Sequence, residues 1–79
     1  MKRVDLYPNP NNGSFTLASM DNTPIEKVSV YSLQGKLIIE KENIGKAKYV
    51  LQGNFEKGTY VTVIHTLDGA VHRKKMMVQ

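Results

Sequence analysis

The chain has no cysteine and no tryptophan, and each absence excludes a class of domain before any motif is considered. Without cysteine there is no disulfide framework, no zinc ribbon and no thiol nucleophile. Without tryptophan, the largest aromatic ring for a sugar-stacking platform is missing. No apolar run approaches the ~20 residues that a membrane-spanning helix needs.

What is present is the composition of one small folded domain. The chain has 79 residues, of which 41% are hydrophobic and 23% charged, values typical of a globular protein with a single core. We therefore assign residues 1–79 to one domain and interpret residues 1–3 as the start of an excised fragment or the remnant of a linker. Met1-Lys2-Arg3 resembles the charged start of a signal peptide, but Asp5 and two prolines stand where its apolar segment should be.

An excess of basic residues, eleven against seven acidic ones, gives a formal net charge of +4 and raises the question of an anionic partner. Most lysines alternate with apolar residues, so we interpret them as a solvated face. His72-Arg73-Lys74-Lys75 is the one basic block. A nucleic-acid-binding barrel would need aromatic residues interleaved with basic residues on one face, and because that pattern is missing we expect no nucleic-acid partner.

Apolar and polar residues alternate with a period of two along the chain, and helical spacing never persists beyond one turn. This pattern predicts an all-β fold, an antiparallel immunoglobulin-like β-sandwich of about seven short strands. A small barrel is the other closed architecture. Between Thr59 and Leu67 the alternation leaves open whether the even or the odd residues face inward.

Glycine marks the expected turns. Gly13, Gly35, Gly58 and Gly69 each fall where a turn or the start of a strand needs an unrestricted backbone. Asn12-Gly13 predicts a tight turn with positive φ angles, and Asp68-Gly69 predicts a two-residue hairpin.

Residues typical of catalytic and metal sites are sparse. His65 and His72 are the only histidines, one inside a predicted strand and the other in the basic block. The seven carboxylates form no pair at a defined inward spacing, and no serine lies in a nucleophile elbow. We therefore expect a non-enzymatic domain with no catalytic residue, no cofactor and no metal site.

The amino-terminal end is unusually stiff. Tyr7, Pro8, Asn9 and Pro10 precede the first clear strand, and we call these residues the proline segment. Proline fixes its own φ and drives the residue before it toward extended geometry, so the segment is predicted to be an extended kink.

The carboxyl-terminal end is a predicted strand, Lys74-Lys75-Met76-Met77-Val78-Gln79. Alternation places Met76 and Val78 on the inward face and Lys75 and Met77 on the outward face. A partner meeting the outward face would find a cation beside a flexible thioether, and an edge strand also offers unpaired backbone groups for pairing with a receptor strand. Protection of the edge by lysine is the structural alternative.

Taken in order, these motifs resemble the C-terminal sorting domain, type A, of cargo proteins of the type IX, or Por, secretion system. The resemblance spans nearly the whole chain. The residues that carry it are Leu6–Pro10, Val28–Tyr31 followed by Gly35–Leu37, Gly58–Val61, and Asp68-Gly69 followed by the basic and apolar last strand. Thr62 replaces the aliphatic residue usual in that family, and Met76-Met77 replaces the usual Ile or Val pair, although both changes preserve a strand.

What the resemblance implies is a signal for secretion. In that family the domain folds in the periplasm, in transit to the outer membrane or cell surface, and is recognised by the outer-membrane translocon and its shuttle components. A sortase-like cysteine protease commonly removes it as the upstream cargo domain is joined to anionic lipopolysaccharide. The resemblance assigns translocon recognition to Lys74, Lys75, Met76, Met77, Val78 and Gln79, and it makes the proline segment the place where a flexible linker ends and the recognised fold begins.

The alternative is a carbohydrate-binding or adhesive β-sandwich appended to a surface enzyme. Its exposed aromatic side chains would have to come from Tyr7, Tyr31, Tyr49 and Tyr60, most of which alternate with predicted core positions.

Overall fold

The computed structural model describes residues 3–79, which form seven antiparallel β-strands and no helix. The strands are β1 (Val4–Tyr7), β2 (Ser14–Ser19), β3 (Ile25–Ser32), β4 (Leu37–Lys41), β5 (Lys48–Gln52), β6 (Gly58–Thr66) and β7 (Val71–Val78). No helix within residues 3–79 is long and apolar enough to cross a membrane. The interpretation of residues 1–3 falls mostly on Met1 and Lys2, which lie outside the described residues.

The strands form two sheets, one in the order β1-β2-β5 and the other in the order β4-β3-β6-β7. In the usual lettering of immunoglobulin-like sandwiches these are the A-B-E and C′-C-F-G sheets. The prediction of an all-β antiparallel sandwich is confirmed. Both sheets contribute to one core, which consists of Val4, Phe15, Leu17, Ile25, Val28, Val30, Leu51, Tyr60, Ile64, Met76 and Val78.

The even-numbered residues of β6 face inward. Tyr60, Thr62 and Ile64 are buried, whereas Val61 and Val63 are only half-buried on the outer face of the four-stranded sheet. This face could not be chosen from the sequence because β-branched and aromatic residues stand at both parities. Thr62 therefore becomes a polar residue in the core, with no exposed surface.

Thr62 and Met76, two of the residues at which the chain departs from the family that it resembles, contact each other. The hydroxyl of Thr62 donates to the sulfur of Met76 over 3.9 Å, and neither side chain has exposed surface. A buried hydroxyl without a partner is costly, and a thioether is a weak acceptor that also fills irregular space. Within residues 3–79 no buried side-chain nitrogen or oxygen lacks a partner.

Two predicted turns differ from the structure. The β6–β7 hairpin has three loop residues, 67–69, because Thr66 N–H donates to Ala70 O over 3.1 Å and Gly69 N–H donates to Thr66 O over 3.0 Å. The two-residue hairpin was therefore wrong, since the left-handed φ of 88° falls on Gly69 alone, as in a three-residue loop with a glycine bulge.

The tight turn predicted at Asn12-Gly13 was also wrong. Residues 8–13 together connect β1 to β2, and only Gly13 of the pair has a positive φ, 105°. Gly13 is required for space as well, because a Cβ there would lie 2.8 Å from the carbonyl oxygen of Gly53. The other turn glycines, Gly35 and Gly58, also have positive φ, 89° and 155°.

Candidate recognition site at the terminal strand

The terminal strand β7 lies at the edge of the four-stranded sheet and pairs along its whole length with β6. Met76 and Val78 are buried, at 0% and 3% exposure, while Met77 is 48% exposed and Lys75 is also exposed. The predicted alternation of this strand is confirmed. One face of β7 therefore contributes to the core, and the other presents a cation beside a thioether to solvent.

The two terminal lysines lie on opposite faces of β7. Lys74 shares the inward row with Met76 and is half-buried at the rim of the core. The pKa of Asp5 is held below its ordinary value by a hydrogen bond from Arg3 and, less strongly, by the charges of Arg3 and Lys74. The charge of Lys74 is therefore felt by Asp5 in the other sheet, whereas Lys75 is exposed on the outer face.

The proline segment reaches the outer edge of β7 through the side chain of Asn9. The Nδ2 of Asn9 donates to Lys75 O over 3.0 Å, and Met77 N–H donates to the Oδ1 of Asn9, also over 3.0 Å. One side-chain amide thus pairs with the strand as the peptide group of a neighbouring strand would. The peptide bonds before Pro8 and Pro10 are both cis.

Asn11 continues this pairing with its backbone. Its N–H donates to Met77 O over 3.0 Å, and its carbonyl accepts from Gln79 N–H over 2.8 Å, which forms a parallel bridge beside Val78. We call Asn9 and Asn11, with the backbone of residues 75–79 to which they bond, the terminal clamp. It joins the connection after β1, a strand of one sheet, to the last strand of the other.

Sequence reasoning missed Asn11, which is only 6% exposed. Its side chain holds the curve of the connection, because Nδ2 donates to Pro8 O over 3.2 Å and Oδ1 accepts from Gly13 N–H over 2.9 Å. The available signal was the asparagine itself, since its side chain can mimic a backbone turn.

The structure brings four of the predicted site residues, Asn9, Pro10, Lys75 and Met77, together in one depression. Asn9, Pro10, Thr59, Lys75 and Met77 line a shallow depression on the outer surface. Tyr7 does not belong to it, because Tyr7 ends β1 and pairs with Thr16 in the other sheet.

The tyrosines do not share one surface, since Tyr7 and Tyr49 belong to the three-stranded sheet, Tyr31 to the other, and Tyr60 is 8% exposed in the core. In the part of the chain that the structure describes, no group of three or more His, Cys, Asp or Glu side chains is placed to hold a metal ion.

Comparison with known proteins shows which family the chain is similar to. The family model of the secretion system C-terminal sorting domain matches residues 5–79. Ulvan lyase NLR42 of Nonlabens ulvanivorans is 36% identical over 76 residues, which are 95% of this chain and 14% of that relative. The chain therefore spans about one seventh of the length of this curated relative.

The fold also resembles a solved structure. The crystal structure of CopC from Methylosinus trichosporium OB3b superposes with a TM-score of 0.57 and 17% sequence identity, over 94% of this chain and 89% of that one. At this identity the likeness concerns the fold alone.

Proposed function

Because the chain belongs to the family of C-terminal sorting domains of the type IX secretion system, we propose that it directs an attached cargo protein across the outer membrane. The domain acts as a recognised shape and has no catalytic role. It folds in the periplasm and is then bound by the translocon and its shuttle components, so that the cargo reaches the cell surface or the medium.

One observation supports β7 as the recognised element: the terminal strand and the proline segment form a single surface. Lys75 and Met77 project outward from β7, and Asn9 bonds to the backbone of both residues. The full proposed recognition set is Lys74, Lys75, Met76, Met77, Val78 and Gln79, with Tyr7, Pro8, Asn9 and Pro10 as the segment that opens the fold. Within this set Met76 and Val78 act through the core, and Lys75 and Met77 meet the partner.

We further propose that a sortase-like cysteine protease removes the domain upstream of β1 when the cargo is anchored. The first strand begins at Val4, which pairs with Ser19, and Arg3 O accepts from Met20 N–H over 2.8 Å. A cut upstream of Arg3 therefore breaks none of this pairing and leaves both sheets intact, and proteolysis concentrates at chain termini and exposed linkers. The length of the curated relative beyond the matched region supports a cargo domain upstream.

The test is a secreted reporter fused ahead of residue 1 in a host with the type IX system, scored as surface and medium against periplasmic reporter. The double variant Lys75→Ala with Met77→Ala should cause export to fall, although its fold should change little, because exposed substitutions usually cost within ~0.5 kcal/mol. The matched control is Leu33→Ala with Lys36→Ala, another exposed apolar and basic pair, at the β3–β4 hairpin.

Deletion of residues 76–79 should abolish export, but the deletion also removes two core side chains. Its folding must therefore be checked by circular dichroism and a thermal melt. Normal export of a folded truncation, or equal loss in the control pair, would refute the assignment of recognition to the terminal strand.

A further inference from the structure

The strand β7 is the longest of the described strands that lie at the edge of a sheet. Among the described residues the edge strands β1, β4 and β5 contain 4, 5 and 5 residues, whereas β7 contains 8. Short edge strands are one way in which proteins avoid pairing with other chains, and a long edge strand invites such pairing. Whether β7 can pair with another chain depends on which of its backbone N–H and C=O groups are already hydrogen-bonded.

The odd-numbered residues of β7 point their backbone groups away from β6. Thr66 N–H donates to Ala70 O, so even-numbered residues exchange hydrogen bonds with β6 and odd-numbered residues lie in the alternate, outward-directed pairs. The same parity is visible at Lys75 and Met77, whose outward groups bond to the clamp.

The clamp covers only the second half of this edge. Lys75 O, both backbone groups of Met77 and Gln79 N–H are paired with Asn9 and Asn11. By the same parity the N–H and C=O groups of Val71 and Arg73 and the N–H of Lys75 point away from β6, and the hydrogen bonds of the clamp do not reach them. The clamp extends no further along β7, because the chain that precedes Pro8 belongs to β1 in the other sheet. In addition, Pro8 and Pro10 have no N–H group to donate.

The open half of the edge is basic. Arg73 and Lys75 are exposed on the outer face, and the described ion pairs Arg3–Asp5 and Lys27–Glu40 do not involve them. A second copy of the chain is a poor partner, because antiparallel pairing about Arg73 would place two arginines directly opposite each other, and like charges there are destabilising. An extended segment with acidic side chains fits both the backbone and the charge.

We propose that residues 71–75 of β7 accept an extended, acidic segment of the secretion machinery as an added strand, while the terminal clamp closes residues 75–79 to such pairing. This inference rests on the proposed function, which identifies the secretion machinery as the source of the partner. It adds that the partner binds as an extra strand and that only residues 71–75 are open to it. Main-chain hydrogen bonds supply affinity in this mode, and side chains at alternate positions supply specificity. The recognised edge therefore lies nearer the β6–β7 hairpin than the end of the chain.

The decisive variant is Arg73→Pro in the reporter fusion. Proline removes the N–H that points outward, so the ladder with β6 keeps its hydrogen bonds, and edge strands accept proline at such positions. Arg73→Ala is the first control, since it removes the charge and keeps the N–H. Val50→Pro, on the free edge of the other sheet, is the second control. Because Gly53 N–H bonds to Gly13 O, the odd-numbered residues of β5 bond to β2, and the N–H of Val50 points outward.

Arg73→Pro should reduce export about tenfold or more below Arg73→Ala, the factor expected for lost main-chain pairing, while Val50→Pro exports as the unmodified domain. Folding is checked by the amide spectrum of each isolated variant; if Arg73→Pro does not fold, Val71→Pro at the first residue of the strand replaces it with the same expectation. Equal export from Arg73→Pro and Arg73→Ala, or equal loss from Val50→Pro, overturns strand addition at this edge. If Lys75→Ala with Met77→Ala still blocks export in that case, recognition at the terminal strand stands without strand addition. If every variant exports normally, the assignment of recognition to the terminal strand fails as well, whereas the proposed function fails only if the unmodified domain gives no export.

Discussion

Replacing Asn9 by alanine should loosen the terminal clamp, and the structure sets the size of the effect. The substitution removes two hydrogen bonds of 3.0 Å, one to Lys75 O and one from Met77 N–H. A net hydrogen bond contributes ~0.5–1.5 kcal/mol, and because water reaches both backbone groups once the amide is gone, the loss should total about 1–2 kcal/mol. For a domain of this size that lowers Tm by roughly 4–16 °C.

The assay combines a thermal melt with amide hydrogen exchange. The Met77 amide should exchange faster in Asn9→Ala than in the unmodified domain, because its acceptor is gone, whereas amides within the β6–β7 ladder should change only through the global stability. Asn12→Ala is the matched control: the Oδ1 of Asn12 accepts one long, exposed bond of 3.4 Å from Ser14 N–H, so its stability should change by no more than ~0.5 kcal/mol.

If Asn9→Ala melts at the same temperature as Asn12→Ala and the Met77 amide keeps its protection, the side chain of Asn9 does not hold the edge of β7 in solution. A loss well above ~3 kcal/mol would also contradict this role of Asn9, since two exposed hydrogen bonds do not contribute that much.

Three further outcomes are expected. Gly13→Ala should destabilise the domain more than Gly35→Ala in denaturant unfolding, since both positions have positive φ but only Gly13 meets a backbone oxygen at 2.8 Å; equal midpoints would contradict this steric reading. The Asp5 carboxyl should titrate below its ordinary pKa by NMR, so its stabilising effect is full above the unfolded-state pKa and is lost as pH falls through the folded-state pKa; a midpoint at or above the ordinary value would disprove the Arg3 hydrogen bond. His65→Ala and His72→Ala should leave reporter export unchanged apart from any loss of folding, and loss of export by a folded variant would reveal an overlooked site.

The sequence alone determined the class of fold and the family. Alternation of period two needs only neighbouring residues, so the strands and the inward position of Met76 and Val78 followed from it. The resemblance to type IX sorting domains rested on short motifs in a fixed order, and the match over residues 5–79 confirms it. Local chemistry also identified Gly69 as a turn residue, although the length of its loop was wrong.

Only the tertiary structure decided which face of β6 is buried and how the two ends of the chain meet. Thr62 is a core residue because β6 is paired on both sides, by β3 and β7, and the packing of the two sheets selects its even-numbered residues. Asn9 lies 66 and 68 positions from the residues to which it bonds, and a side-chain amide carries no periodic signal. The clamp exists because stacking the two sheets places the connection after β1 beside the last strand, and that proximity depends on the whole fold.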